Sequence, residues 1–338
     1  MVSSPNALRW NGRAGHYEVY YLTLTDPRTG LGVWIRYTMV APTRGSTQPG
    51  GCSLWFLTMD PRSGAKPVLG RKATYPLESM RAGAAPFELR INDAVCTDSG
   101  MKGAFEDVSW DLHWAPCDQA YEPIRPILHR LGLADTAFVL PHADLSIDGE
   151  IAFAGERAQL SGARGGQAHL WGSKHARSWA WTHCSELRTL EGEWMDGEFI
   201  DGVSATVPRF GRELGPNTPI VGCIAGKDFR STSPLRILGN HSTYTLTSWR
   251  FEAVDGPRKL IGEVTASREQ LAGVTYHDPD GEPAYCYNTE TASLRLHVYE
   301  RASQVGGWAH RRTLLAPGRA HFEYAQRAPV PGLELLIH

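Results

Sequence analysis

The stretch HYEVYYLTLTDPRTGLGVWIRYTMV, residues 16–40, decides the fold class. Its two arms, 16–25 and 32–40, are rich in β-branched and aromatic residues and send every second side chain to one face, the period-2 signature of a strand. Between them Asp26-Pro27-Arg28-Thr29-Gly30 supplies the Pro and Gly that a tight turn needs. The same alternation recurs outward at 53–59 (SLWFLTM), 87–91 (FELRI) and 108–114 (VSWDLHW). Beyond these it returns at 143–153, 168–171, 178–184, 198–207, 220–225, 243–253, 260–264 and 293–300. Asp60-Pro61-Arg62-Ser63-Gly64 and Asp278-Pro279-Asp280-Gly281 repeat the turn chemistry. Helical spacing is confined to 122–133 (EPIRPILHRLGL), where Ile127, Leu128 and Leu131 form one apolar stripe before Gly132.

Many short strands and no alternation with helices predict an all-β fold, a sandwich or barrel of antiparallel strands with at most a short helix in a linker. The length, 338 residues, is about twice that of an ordinary domain. Two domains are expected, 1–140 and 141–338, divided at the Pro-rich connection 115–141. Ser109-Trp110-Asp111-Leu112 and Ser248-Trp249-Arg250-Phe251 form a faint echo between the halves.

Composition excludes several classes. Lys plus Arg (34) nearly balances Asp plus Glu (36) and no basic run occurs, so nucleic acid is not an expected partner. The segment MVSSPNALRWNGRAG has no apolar leader, and no window approaches the roughly 18 apolar residues of a membrane span. A cytoplasmic protein without a transmembrane segment is expected. Cys52, Cys96, Cys117, Cys184, Cys223 and Cys286 lie far apart with no C-x-x-C pair and read as reduced thiols. The sequence contains no P-loop, dinucleotide fingerprint, H-E-x-x-H or G-x-S-x-G element, so no metal site, cofactor or serine nucleophile is expected.

Three stretches carry polar groups among rings. In GGQAHLWGSKHARSWAWTHC, residues 165–184, His169 and Trp171 share one strand face, and Trp179, Trp181 and His183 share another. If both faces point into one barrel, two imidazoles and three indoles converge, and buried N–H groups in such numbers call for a polar ligand atom. In GHYEVYY, residues 15–21, Glu18 alternates with Tyr17 and Tyr21, ahead of Trp34 and Arg36. Facing inward, Glu18 would have a raised pKa and serve as a proton donor; facing outward, it would be solvated or paired with Arg36. In 275–290, Asp278 to Gly281 read as a turn, which accounts for both Asp residues, while Tyr276 and Asn288 stand out beside it.

GRAGHYEVYYLTL, GVWIRYT, SWDLHW, GGQAHLWG with WAWTHC, and YHDPDG with YCYN together resemble the family that includes hydroxyneurosporene synthase, tocopherol cyclase and the AttH-like proteins, with Diels–Alder cyclases of similar fold. The resemblance runs from about Arg13 to Glu300. It implies a pair of lipocalin-like β-domains and non-redox water addition or ring closure on a polyene, prenylated or polyketide molecule, without a cofactor. On that reading His169 or Glu18 is the general acid and His183 relays. Tyr17, Tyr21, Trp34, Trp110, Trp114, Trp171, Trp181, Trp249, Tyr276 and Asn288 are the candidate ligand contacts. The alternative is a lipocalin-like carrier that only sequesters an apolar small molecule; the oligomeric state is left open.

Overall fold

A computed structural model describes residues 4–63, 68–209, 211–302 and 306–338. Gly64, the last residue of the expected turn from Asp60, and Met1 to Ser3 lie outside the described residues. Strands account for 63% and helices for 5%, so the fold is all-β as expected. Short helices occur at Pro126–Arg130 and Pro234–Gly239. The first lies where the sequence places it, but Ile127 and Leu131 face solvent. Of the expected apolar stripe only Leu128 is half-buried, because five helical residues make little more than one turn. The second helix lies far from any linker.

Two twelve-stranded sheets are built on one plan. In the first, Val68–Tyr75, Gly51–Met59, Gly32–Ala41 and His16–Thr25 run in reverse order to Glu156–Gly172. That strand forms a long hairpin with Thr136–Phe153, and a meander from Met80–Ala84 to Val108–Trp114 follows. In the second, Lys227–Ser231, Ile220–Ile224, Phe199–Arg209 and Ser178–Cys184 lead to Ala309–Gln326, which forms the long hairpin with Pro283–Glu300. The boundary expected at 140/141 falls inside the strand Thr136–Phe153 of the first sheet; the chain crosses between sheets at residues 173–177. Proline-rich composition misled here, since both arms of the long hairpin are needed to complete the first sheet.

Each sheet curls around its own core. Tyr20, Leu22, Ile35, Tyr37, Phe56 and Trp110 fill the first; Trp249, Phe251, Leu294, Leu296, Leu314 and Phe322 fill the second. The echo pair does equivalent work. Trp110 Nε1 donates to the Tyr37 hydroxyl at 3.0 Å and Trp249 Nε1 to Ser242 Oγ at 2.8 Å, each pinned inside its own curl.

A third apolar layer lies between the sheets, where Tyr17, Val19, Tyr21, Trp34 and Trp55 meet Trp179, Trp181, Val203, Val274 and Tyr276. The strand His16–Thr25 is therefore buried on both faces, odd residues against the second sheet and Tyr20, Leu22 and Leu24 in its own core. Among the described residues no helix is long and apolar enough to cross a membrane, and all six cysteines are free thiols.

Candidate active site between the two sheets

A pocket opens in this middle layer, with an empty volume of about 710 Å³ that includes space open to solvent. Strand pairing explains its walls. Tyr17 and Tyr21 point out of the first sheet, and Trp34 and Arg36 follow on the neighbouring strand, where Arg36 lies opposite Tyr21. The second sheet contributes Trp179 and Trp181 from one strand, Glu323 from its partner and Tyr276 from Ala272–His277. His175 comes from the crossing segment itself and reaches the pocket because the chain must pass its mouth to change sheets.

His175 is held on several sides. Its ring stacks on Tyr17 with centroids 4.3 Å apart, and Trp179 and Tyr276 lie near-parallel to it, each at 5.6 Å. Nδ1 lies 2.6 Å from Asp278 Oδ1, and the His175 backbone N–H donates to the same oxygen at 2.8 Å. Asp278 also accepts from Arg327 at 2.7 Å. Burial alone would raise the Asp278 pKa, but the hydrogen bond from His175 and the charges of His175 and Arg327 outweigh it and hold the carboxyl below its ordinary value. An ionised carboxylate on Nδ1 leaves Nε2 to exchange protons, the arrangement in which imidazole acts as an acid–base group.

Other polar groups line the same space. Trp179 Nε1 donates to Glu323 Oε1 at 2.6 Å. The Tyr17 hydroxyl lies 2.7 Å from Thr136 Oγ1, which donates in turn to the Lys174 carbonyl. Burial pushes the phenols of Tyr17, Tyr21 and Tyr276 well up, so all three remain protonated. The Tyr276 hydroxyl and the Asn288 amide nitrogen, both buried, make no hydrogen bond of regular geometry.

The structure thus brings the candidate contacts Tyr17, Tyr21, Trp34, Trp181 and Tyr276 together at the pocket, with Trp179 and Arg36 beside them, and leaves Glu18, Trp110, Trp114, His169, Trp171, His183, Trp249 and Asn288 away from its lining. Trp110 and Trp114 are in the first core, and Trp249 is in the second. His169 and Trp171 do not converge with Trp181 and His183. Register sets His169 opposite Tyr20 and Trp171 opposite Glu18, on the face turned away from the pocket, where residues 4–10 cover them. His169 contacts the Pro5 carbonyl and Glu18 Oε1, each at 2.8 Å, and its ring stacks on Tyr20.

Glu18 faces inward, yet its expected raised pKa is reversed. Burial raises it, but hydrogen bonds from His16, His169 and the Arg9 N–H, with the Trp10 N–H and Tyr20 hydroxyl also donating, bring it down to about 2. A carboxylate that accepts five hydrogen bonds is a clasp rather than a proton donor.

His183 is buried beyond Trp181. Its Nδ1 lies 3.1 Å from Asp201, and the cross-strand His321 makes the matching contact with Glu290 at 2.5 Å. Both Nε2 atoms are unpartnered beside a separate small cavity. Trp181 links the two spaces, donating to Asp201 and packing on His321 at 4.2 Å.

His175 and Glu323 were not singled out by the sequence; Trp179 was read only as part of the converging face and Arg36 only as a possible partner for Glu18. Arg36 carried a signal, being the one charge in its strand, and Glu323 a weaker one, sitting between Phe322 and Tyr324. His175 carried none, because its segment reads as a plain connector.

Two proteins of Mycobacterium tuberculosis, Rv0493c and MT0513, both named as uncharacterized, are each 30% identical to this chain over 309 residues, covering 89% of it and 87% of their own length. The chain belongs to their family. No family model matches it. Among solved structures, an AttH-type protein of Nitrosomonas europaea covers 96% of the chain and 98% of its own, with a TM-score of 0.56 at 11% identity. Kievitone hydratase of Nectria haematococca covers 97% and 93%, with a TM-score of 0.55 at 8% identity. The family therefore has the lipocalin-like fold of AttH-like proteins, in agreement with the motif resemblance.

Proposed function

We propose that this chain is an acid–base enzyme that adds water to, or eliminates it from, an activated double bond of a largely apolar small molecule bound between the sheets. The observation that carries the reading is the His175–Asp278 pair, stacked among rings at the pocket with a buried, ionised carboxylate on Nδ1. Fold alone does not fix chemistry, but a hydratase on this same fold supports the choice.

In the addition direction, His175 Nε2 takes a proton from water as the oxygen bonds to the β-carbon of a conjugated carbonyl compound. The C=C electron pair moves onto the carbonyl oxygen, which a Tyr276 or Tyr21 hydroxyl meets as donor. The imidazolium then returns its proton to the α-carbon, and atoms and charge balance with no redox step. Ring closure by an internal hydroxyl uses the same proton transfers, so cyclisation of a prenylated or polyketide molecule is the second reaction of the same site. Neither requires a cofactor.

The test is incubation with prenylated phenols, enones and polyenes in isotopically labelled water, read by mass spectrometry for label incorporation or isomer formation. His175→Asn is expected to lower turnover by roughly 10²–10⁴-fold, the span of a positioned acid or base, with the fold intact by circular dichroism. Turnover unaffected by His175→Asn overturns the assignment; tight ligand binding with no product from any compound identifies a carrier instead.

A further inference from the structure

Arg36 stands alone among the buried guanidinium groups in its surroundings. The residue is 6% exposed, and its Cζ lies 4.1 Å from the Tyr276 ring centroid, 5.6 Å from Trp34 and 5.7 Å from Trp55. Ring faces attract a cation but accept little from its N–H groups. Nε is buried without a partner, among the described residues no carboxylate lies within 4.0 Å of the group, and Arg36 belongs to the pocket lining. Other buried guanidinium groups here are paired. Arg327 donates to Asp278 at 2.7 Å and to the His175 carbonyl at 2.5 Å, and Arg164 donates to Asp144.

An ion stripped of water and left without a counter-ion is one of the costliest arrangements a fold can hold, so it marks a place where something else is meant to bind. We infer that the ligand of this pocket is an amphipathic carboxylic acid whose carboxylate is held by Arg36.

The lining decides the class. Arg36 is its one arginine and it contains no lysine, while Glu323 adds a carboxylate, which suits a single negative charge and opposes a phosphate dianion. The planar guanidinium fork matches a planar carboxylate. The remaining walls are rings and aliphatic side chains such as Phe138, Leu170 and Val203, which suit an apolar body. Tyr276 touches Arg36 on one side and His175 on another, so a molecule anchored at the guanidinium carries its chain past the imidazole. The inference rests on the middle-layer pocket being the ligand site and adds the head group that His175 chemistry does not specify.

Binding separates it from the catalytic reading. cis-Parinaric acid and its methyl ester are titrated near neutral pH and read by energy transfer from the pocket tryptophans. The acid is expected to bind roughly 10- to 100-fold more tightly than the ester, the range of a charge-assisted hydrogen bond. Arg36→Gln should remove that preference, and Arg36→Lys should keep part of it. Arg36→Gln should also melt no lower than the parent protein without ligand, since no folded-state hydrogen bond is lost.

Equal binding of acid and ester by the parent protein, or no binding of the acid, overturns the inference even if Arg36→Gln fails to fold. So does unchanged acid binding by a folded Arg36→Gln. If His175→Asn abolishes turnover while acid and ester bind alike, the catalytic reading stands and the carboxylate falls. If the acid preference holds while His175→Asn turns over normally, the reverse applies.

Discussion

Glu18 and His175 are both set by what surrounds an ionisable side chain, with opposite results. Glu18 is enclosed and saturated with donors, so its negative charge belongs to the folded state. Its pKa falls from 4.5 to about 2 on folding, so its contribution is fully present above about pH 4.5 and is lost as pH falls toward 2. Glu18→Gln is expected to cost about 3 kcal/mol or more in urea denaturation at neutral pH, because His16 and His169 lose the charge they face. The same variant should flatten the acid limb of the stability curve over that window. An unchanged limb would mean that other carboxylates dominate acid unfolding. His169→Ala should likewise lower stability by about 2 kcal/mol or more while leaving the turnover of the folded fraction unaltered, in contrast to the loss expected from His175→Asn.

At the scale of elements, the pocket depends on how closely two strands from different sheets approach. Gly32 opens the strand that carries Trp34 and Arg36, and a Cβ built there would lie 2.3 Å from Glu290 Cβ on the long hairpin of the second sheet. The obstructing atom sits next to the backbone and cannot swing away. Gly32→Ala should therefore push the sheets apart and destabilise the protein by about 1–3 kcal/mol, measured by chemical denaturation, with weaker ligand binding as well. A neutral result would show that the sheets slide freely at this edge. Glu290 also clasps Thr23 and His321, so its strand is tied to both sheets by the contact that a larger residue at 32 would disturb.

At the scale of the whole molecule, the middle layer makes the two curled sheets one cooperative body. Tyr17, Tyr21, Trp34, Trp55, Trp179, Trp181 and Tyr276 are buried only while both sheets are present. Differential scanning calorimetry is expected to give a single transition whose calorimetric and van't Hoff enthalpies agree. Two resolved transitions would mean that the halves are energetically independent. Residues 4–172 expressed alone should expose this aromatic face and bind a hydrophobic dye or aggregate.

The sequence by itself determined the all-β class, the strand-turn-strand grammar and the aromatic character of Tyr17, Tyr21, Trp34, Trp181 and Tyr276, because alternation and turn chemistry act over a few residues and leave a local trace. Which face of each strand meets the ligand was decided only by the tertiary structure. Strands such as His16–Thr25 are apolar on both sides, one side for their own curl and one for the neighbouring sheet, so alternation could not tell core from pocket. For that reason Glu18 and His169 read as catalytic yet close a clasp under residues 4–10. The His175–Asp278 pair, by contrast, joins residues 103 positions apart, and a connector and a turn become a site only when the second sheet brings them together.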